Sequence, residues 1–227
     1  MTTSIDLAKV SVRELNQALH DADGGEFEIV NPGGNHSVAV GMTVDAQVDI
    51  RGHVGYYCAG MNQQARIAIH GNAGPGLAEN MMSGEVRVTG NASQYCAATA
   101  HGGLVVVEGD ASSRCGISMK GVDIVVGGSI GHMSAFMAQK GRLVVLGDTG
   151  NALGDSLYEA RIYCMGTPNS LGADCVEKKM KDRHKEELAG LLDRAGFAGV
   201  DASSFKRYGS ARKLYNFHVD HAELPQR

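Results

Sequence analysis

The stretch Val48-Asp-Ile-Arg-Gly52-His-Val-Gly55 returns nineteen residues later as Ile67-Ala-Ile-His-Gly71-Asn-Ala-Gly74, and again as Val86-Arg-Val-Thr-Gly90-Asn-Ala-Ser93. Outward from these copies, glycines keep a 19-residue spacing eight times without insertion or deletion: Gly33, Gly52, Gly71, Gly90, Gly109, Gly128, Gly147 and Gly166. Four and two residues before them stand Val48/Ile50, Ile67/Ile69, Val86/Val88, Val105/Val107, Ile124/Val126, Leu143/Val145 and Ile162/Cys164. Such period-two alternation of mostly β-branched residues predicts a strand with one buried face. A second small-residue pair follows in Val54-Gly55, Ala73-Gly74, Ala92-Ser93, Ala111-Ser112 and Ile130-Gly131.

One such unit cannot bury its apolar face alone. Stacked units bury it continuously, each strand pairing in parallel with its counterpart one coil away. The expected fold is all-β: a right-handed parallel β-helix of about seven coils, a solenoid with a 19-residue repeat. Its hand follows the strong preference of parallel crossovers. Strands stacked at about 4.8 Å make a rod of roughly 30–35 Å. Glycine at each corner is expected where the coil turns sharply, often with φ above zero. Gly84, Gly103 and Gly141 precede their strands, whereas Ala46, Ala65, Val122 and Ala160 fill that place in other coils and imply less demanding corners.

Both ends of a solenoid expose core and unpaired strand edges, so caps are required. Residues 1–26 read as an N-terminal helical cap. Ser11-Val-Arg-Glu14 is a capping box, Val12, Leu15, Ala18 and Leu19 form one apolar helical face, and Gly24-Gly25 ends it before a strand at Phe27–Val30. The β-helix covers 27–172. Residues 173–227 read as a C-terminal helix and irregular tail. Asp174-Cys-Val-Glu177 is a possible second capping box, and Val176, Met180, Leu188, Leu191, Leu192 and Ala195 suggest a helix over about 174–195. Five of the twelve aromatics lie after residue 196, which predicts that the tail anchors to the rod or to another subunit.

Glycine is 31 of 227 residues with only 4 prolines, which excludes collagen. No apolar run is long enough to span a bilayer. Met1 to Val10 has no apolar core of a signal peptide, so a cytoplasmic chain with reduced thiols is expected. Net charge is −4, which gives no support to nucleic-acid binding. The charge is uneven. Residues 173–227 hold 11 of the 21 Lys and Arg but 9 of the 25 Asp and Glu. That excess reads either as a solvated helical tail or as one that docks on an acidic partner.

Candidate chemistry is thin. Cys58, Cys96 and Cys115 each lie six residues after a repeat glycine, in a slot that Leu77, Ser134 and Leu153 hold in other coils. A slot that takes Cys, Leu and Ser is an interior ladder, where free Cys behaves as a small hydrophobe. His36, His53, His70, His101 and His132 share no repeat slot, so stacking does not bring them into a row. A self-sufficient β-helix metalloenzyme with histidines converging at one corner stays open as an alternative. Gly127-Gly-Ser-Ile-Gly131 superficially looks like a phosphate loop, but a strand rather than a helix follows it. No catalytic, cofactor-binding or metal-binding residue is assigned to this chain.

The quoted repeats, with Gly84-Glu-Val-Arg-Val-Thr-Gly90 and Gly121-Val-Asp-Ile-Val-Val-Gly-Gly128, resemble the GXGXG repeat domain that closes the large subunit of glutamate synthase and recurs in formylmethanofuran dehydrogenase. The resemblance covers about residues 27–166. It implies a non-catalytic scaffold subunit of a glutamate-synthase-like complex. A free-standing chain with a tail ending in Arg212-Lys-Leu-Tyr-Asn-Phe217 is most similar to the middle subunit of N-methylglutamate synthase, an enzyme that converts methylamine and glutamate to N-methylglutamate and ammonia. The implied partners are a class II amidotransferase-like subunit and an FMN-dependent synthase subunit in a hetero-oligomer. FMN and an iron–sulfur cluster would sit on the synthase. Lys206, Arg207, Tyr208, Arg212, Lys213, Tyr215 and Phe217 are the expected partner interface. A subunit of an ordinary glutamate synthase is the alternative reading.

Overall fold

The computed structural model describes residues 2–213. Nine parallel strands form one ladder: β1 (Thr3–Asp6), β2 (Gly25–Val30), β3 (Ala46–Arg51), β4 (Arg66–Ile69), β5 (Glu85–Val88), β6 (Leu104–Val107), β7 (Lys120–Val126), β8 (Lys140–Val145) and β9 (Arg161–Cys164). A second ladder of parallel bridges runs Val54, Ala73, Ala92, Ala111, Ile130, Thr149 and Pro168. A third is made by backbone bonds such as Ala78 N–H to Cys58 O at 2.9 Å and Ala97 N–H to Leu77 O at 2.8 Å. The chain is a parallel β-helix, as the repeat predicts. All the paired residues before the corner glycines point inward and are buried, from Val48 and Ile50 to Ile162 and Cys164.

The corner glycines are there for a different reason from the one expected. Only Gly33 and Gly52 of the eight have positive φ. A Cβ on Gly71 would lie 2.7 Å from the Gly52 carbonyl carbon, and one on Gly147 would lie 2.5 Å from Ser129 Oγ. On Gly90, Gly109 and Gly128 it would collide with the side-chain oxygen of Asn72, Asn91 and Asp110. Those oxygens belong to a polar ladder along the rod. His53 Nδ1 accepts from the Asn72 N–H at 2.8 Å. Asn72 Oδ1 accepts from Asn91 at 2.8 Å, Asn91 Oδ1 from Asp110 at 2.8 Å, and Asp110 Oδ1 from Ser129 at 2.7 Å. Ser129 Oγ then accepts from Asp148 at 3.0 Å, and Asp148 Oδ1 from Thr167 at 2.8 Å. Each glycine leaves room for the acceptor beneath it, and each acceptor satisfies a corner N–H that strand pairing leaves over. Gly84, Gly103 and Gly141 do adopt positive φ, whereas Ala46, Ala65, Val122 and Ala160 do not, which matches the expected division of corners.

The first coil departs from the repeat. Phe27 pairs with Val48, 21 residues on, while Val48 pairs with Ile67, 19 on. Asn31 and Pro32 are the two extra residues, and Pro32 fills the space under Gly52. The glycine register therefore continues one coil further than the strand register.

Helix α1 (Val12–His20) carries the expected capping box. Ser11 Oγ accepts from the Glu14 N–H at 3.2 Å, and the Glu14 carboxylate accepts from the Ser11 N–H at 2.7 Å. Leu15 and Leu19 are fully buried under the first coil, whereas Ala18 stays exposed. Strand β1 precedes this helix within residues read as purely helical.

The C-terminal segment differs more. Cys175–Lys178 is strand β10, so Asp174-Cys-Val-Glu177 is no helix cap. Helix α2 starts only at Asp182 and runs to Arg194. After a short 3-10 turn at Ala202–Ser204, β11 (Lys206–Ser210) pairs antiparallel with β9 and with β10, closing the rod. Val176 alternates with Cys175 and Glu177 along an end strand, a period-two pattern too short to outweigh the apolar spacing of the helix behind it.

Gly109→Ala is expected to destabilise the chain by about 1–3 kcal/mol despite its ordinary φ, because the methyl group overpacks the coil contact. Gly190→Ala, on an exposed position of α2 with open space around it, should stabilise by up to about 1 kcal/mol. Urea unfolding of both variants checks the contrast.

Candidate functional surface

The interior is committed to stacking. Cys58, Cys96 and Cys115 are completely buried in one ladder slot with Leu77, Ser134 and Leu153. Burial pushes the Cys58 thiol up to about 12. Cys115 is raised well above its ordinary value by its contact with Cys96 and by burial. Burial likewise holds Cys164 at about 11 and Cys175 at about 12. Cys58, Cys115, Cys164 and Cys175 are protonated at neutral pH and shielded, the opposite of a nucleophile's environment.

The histidines go to separate tasks. His36 stacks on Tyr56 with ring centroids 4.5 Å apart and accepts the Tyr56 N–H. His53 begins the polar ladder. His70 lies 2.9 Å from Asp49, and this hydrogen bond lowers the Asp49 carboxyl. Among the described residues no three His, Cys, Asp or Glu side chains converge as a metal set.

The outer faces carry most of the charged side chains. Strands β3, β4 and β5 turn Gln47, Asp49, Arg51, Arg66, Ala68, Glu85 and Arg87 outward, the alternation expected of a half-buried strand. Strands β6 to β9 break that pattern, because Leu104, Val106, Val125, Val144 and Tyr163 also face outward and are buried. Helix α2 covers them with Leu188, Leu191, Leu192 and Ala195, and Phe205 joins the same cluster. Its position is held by charge. Asp123, itself buried, accepts from Arg142 Nε at 2.6 Å and pairs with Arg194 at 3.2 Å. Glu187 of α2 pairs with Arg142 at 3.0 Å and Arg161 at 2.7 Å. The Asp123 hydrogen bond is the main cause of a raised Arg142 pKa. Arg87 donates to the Ala195 carbonyl at 2.8 Å, at the C-terminus of the helix.

The expected interface residues fall into three groups. Tyr208 is buried in the solenoid core, where burial pushes its phenol up to about 12, so it closes the rod and offers no surface to a partner. Phe205 anchors the tail differently, in the outer cluster beneath α2. Lys206 pairs with Glu177 at 3.5 Å, and Arg212 pairs with Glu159 at 2.7 Å. Arg207 donates to the Lys179 carbonyl at 3.1 Å, and the Lys213 N–H donates to Asp174 at 3.0 Å. Tyr215 and Phe217 lie outside the described residues. The structure adds a group that residue-by-residue reading missed: Lys178, Lys179, Lys181 and Arg183, gathered beside Arg207 where β10 passes into α2. The cationic excess after residue 172 was their only trace in the sequence.

No family model matches this sequence. The chain is 59% identical over 223 residues to Protein GlxC of Rhizobium meliloti (strain 1021), covering 96% of this chain and 98% of that protein. The chain belongs to the GlxC family. No helix among the described residues of this GlxC-family chain is long and apolar enough to cross a membrane.

Cys58, Cys164, Cys175 and Tyr208 generate an alkaline signature. Their folded-state pKa values lie above the unfolded ones, so their contribution to stability is complete below about pH 9 and is lost as pH rises toward about 12. Denaturation midpoints should hold steady to about pH 8 and fall steeply by about pH 11. A disulfide-exchange reagent at about pH 8 should label none of Cys58, Cys96 and Cys115 until the chain is unfolded.

Proposed function

We propose that this chain is a non-catalytic scaffold subunit of a glutamate-synthase-like complex, cytoplasmic, and that the complex is an N-methylglutamate synthase. In this reading the rod fixes the separation and orientation of an amidotransferase-like subunit and an FMN-dependent synthase subunit. FMN and an iron–sulfur cluster belong to the synthase.

The observation that carries the reading is where the chain's reactive groups are spent. Its cysteines lie in the stacked core and His53 in the inter-coil ladder. The outer surfaces are what remains for function. Three ladders hold each coil to the next, and helix α2 is clamped across three strands, β7 to β9, by Asp123 and Glu187, so the rod has the stiffness that positioning demands. Misplacement by about 1 Å can cost roughly 10²-fold in rate. Near-full-length similarity to GlxC and the resemblance of the repeat support the glutamate-synthase-like part.

The contacts to partners would use Lys206, Arg207, Arg212 and Lys213, with Tyr215 and Phe217. The test is purification of the native assembly through a tag on this chain, followed by mass spectrometry, a flavin absorbance scan and an assay with methylamine and with ammonia. The expected outcome is two co-purifying subunits, flavin in the synthase, and activity that depends on methylamine. Activity with ammonia alone would assign an ordinary glutamate synthase. A lone chain carrying a tightly bound metal would overturn the scaffold reading.

A further inference from the structure

We propose that the surface formed by β10, the first turn of α2 and β11 is a docking site for a carboxylate-rich segment of a partner protein. The inference deepens the scaffold reading and rests on it for the partner being a protein.

Cations elsewhere on the rod are mostly neutralised in place. Arg51 pairs with Glu28 at 2.9 Å, Arg66 with Asp45 at 3.4 Å, and Arg212 with Glu159 at 2.7 Å. Arg142 and Arg161 share Glu187. At the β10–α2 junction this stops. Lys178, Lys179, Lys181 and Arg183 make no ion pair with a carboxylate among the described residues, and neither does Arg207. Three neighbouring carboxylates are engaged with other cations: Glu177 with Lys206, Asp182 with Lys185, and Glu187 with Arg142 and Arg161, while Glu186 of α2 is exposed and in no ion pair among the described residues.

Geometry brings these cations together. Lys178 of β10 stands opposite Arg207 of β11 in the antiparallel pair, and Arg207 reaches the Lys179 carbonyl at 3.1 Å. His184, buried at the base of the patch, accepts the Lys181 N–H through Nδ1 at 3.2 Å, and Arg183 Nε lies 3.4 Å from its other ring nitrogen. The fields overlap: burial, then Arg207, Arg183 and Arg161, lower the His184 pKa, while Glu187 opposes them. Arg207 is lowered by burial and by Arg161 and Arg183, with Tyr163 and Glu187 opposing. Helix α2, 13 residues long, adds the positive end of its dipole on the same side.

Five cations without an ion pair among the described residues, on a chain of net charge −4, make a confined positive surface on an otherwise acidic molecule. Extended polyanions such as nucleic acid meet repulsion from the remainder of the rod. A short acidic protein segment fits the patch without that penalty, and its carboxylates would dock with salt-sensitive affinity.

The test is fluorescence anisotropy of a dye-labelled glutamate-rich peptide titrated with the full chain. The triple variant Lys179→Glu, Lys181→Glu, Arg183→Glu is compared with Arg13→Glu, a reversal at an exposed site on α1. Thermal unfolding of each variant confirms that it is folded. The expected result is binding that weakens with added salt, falls at least tenfold in the triple variant and is unchanged in Arg13→Glu. Equal binding by the triple variant, tighter binding of a single-stranded oligonucleotide of the same charge, or no binding by the full chain overturns the proposal. If the full chain is silent but one ending at Lys213 binds, the occupant is this chain's own terminal segment with Asp220 and Glu223, and the partner assignment falls. A patch that binds the peptide in a chain that co-purifies with no second subunit would leave the site standing and remove the scaffold reading.

Discussion

The structure depends on one repeated contact: a glycine lying directly over a short side-chain acceptor of the coil below. Gly90 over Asn72, Gly109 over Asn91 and Gly128 over Asp110 are three instances. The acceptor satisfies a backbone N–H at the corner, where strand pairing has ended. A net gain of about 1 kcal/mol per bond is modest. The larger consequence is register, since each bond aligns one coil on the next and the 19-residue period follows. Around this seam the chain tolerates costly backbone. Non-glycine residues such as Tyr57, Ala59 and Met61 take positive φ at alternate positions of one coil, and the inter-coil bonds offset that strain.

The repeat made the coil number, the inward-facing pairs and the cysteine slot legible, because those properties are periodic and carried by residue type. The polar ladder was not legible. His53, Asn72, Asp110 and Ser129 each follow a repeat glycine, but the slot changes residue type from coil to coil, and only the acceptor within reach of the next coil unites them. The function of the glycines was misjudged for the same reason: steric exclusion from a neighbouring coil leaves no local mark, whereas positive φ is a local property. Asn31 and Pro32 escaped notice because the glycine spacing runs on across the first coil while the strand pairing shifts by two. On the candidate surface, the basic and aromatic residues of the tail were found, but not their division. Tyr208 is a plug for the rod's end, and Lys178, Lys179, Lys181 and Arg183 run from the end of a strand read as helix into the first turn of α2.

The two-sided burial of β6 to β9 explains why this solenoid carries its own outer helix. The triplet Val105-Val-Val107 and the run Ile124-Val-Val126 are apolar on both faces, and an uncovered outer column would be an aggregation-prone surface. Helix α2 covers it, while β3 to β5 keep a charged outer face open to solvent or to a partner. The rod thus has a self-covered half, a polar half, and an end whose positive charge is not neutralised among the described residues. Distinct outer surfaces of this kind suit a part that must hold two different subunits at once. That assignment joins the physical picture to the glutamate-synthase-like resemblance.

The central claim is that the chain holds partners in place and does no chemistry of its own. A cryo-electron microscopy map of the assembly, purified with its cofactors, tests this most directly. The account predicts that the rod lies between two different subunits and that all flavin and metal density belongs to the partners. Ligand or metal density coordinated by this chain's own side chains, or a rod touching a single subunit at the periphery, would contradict it.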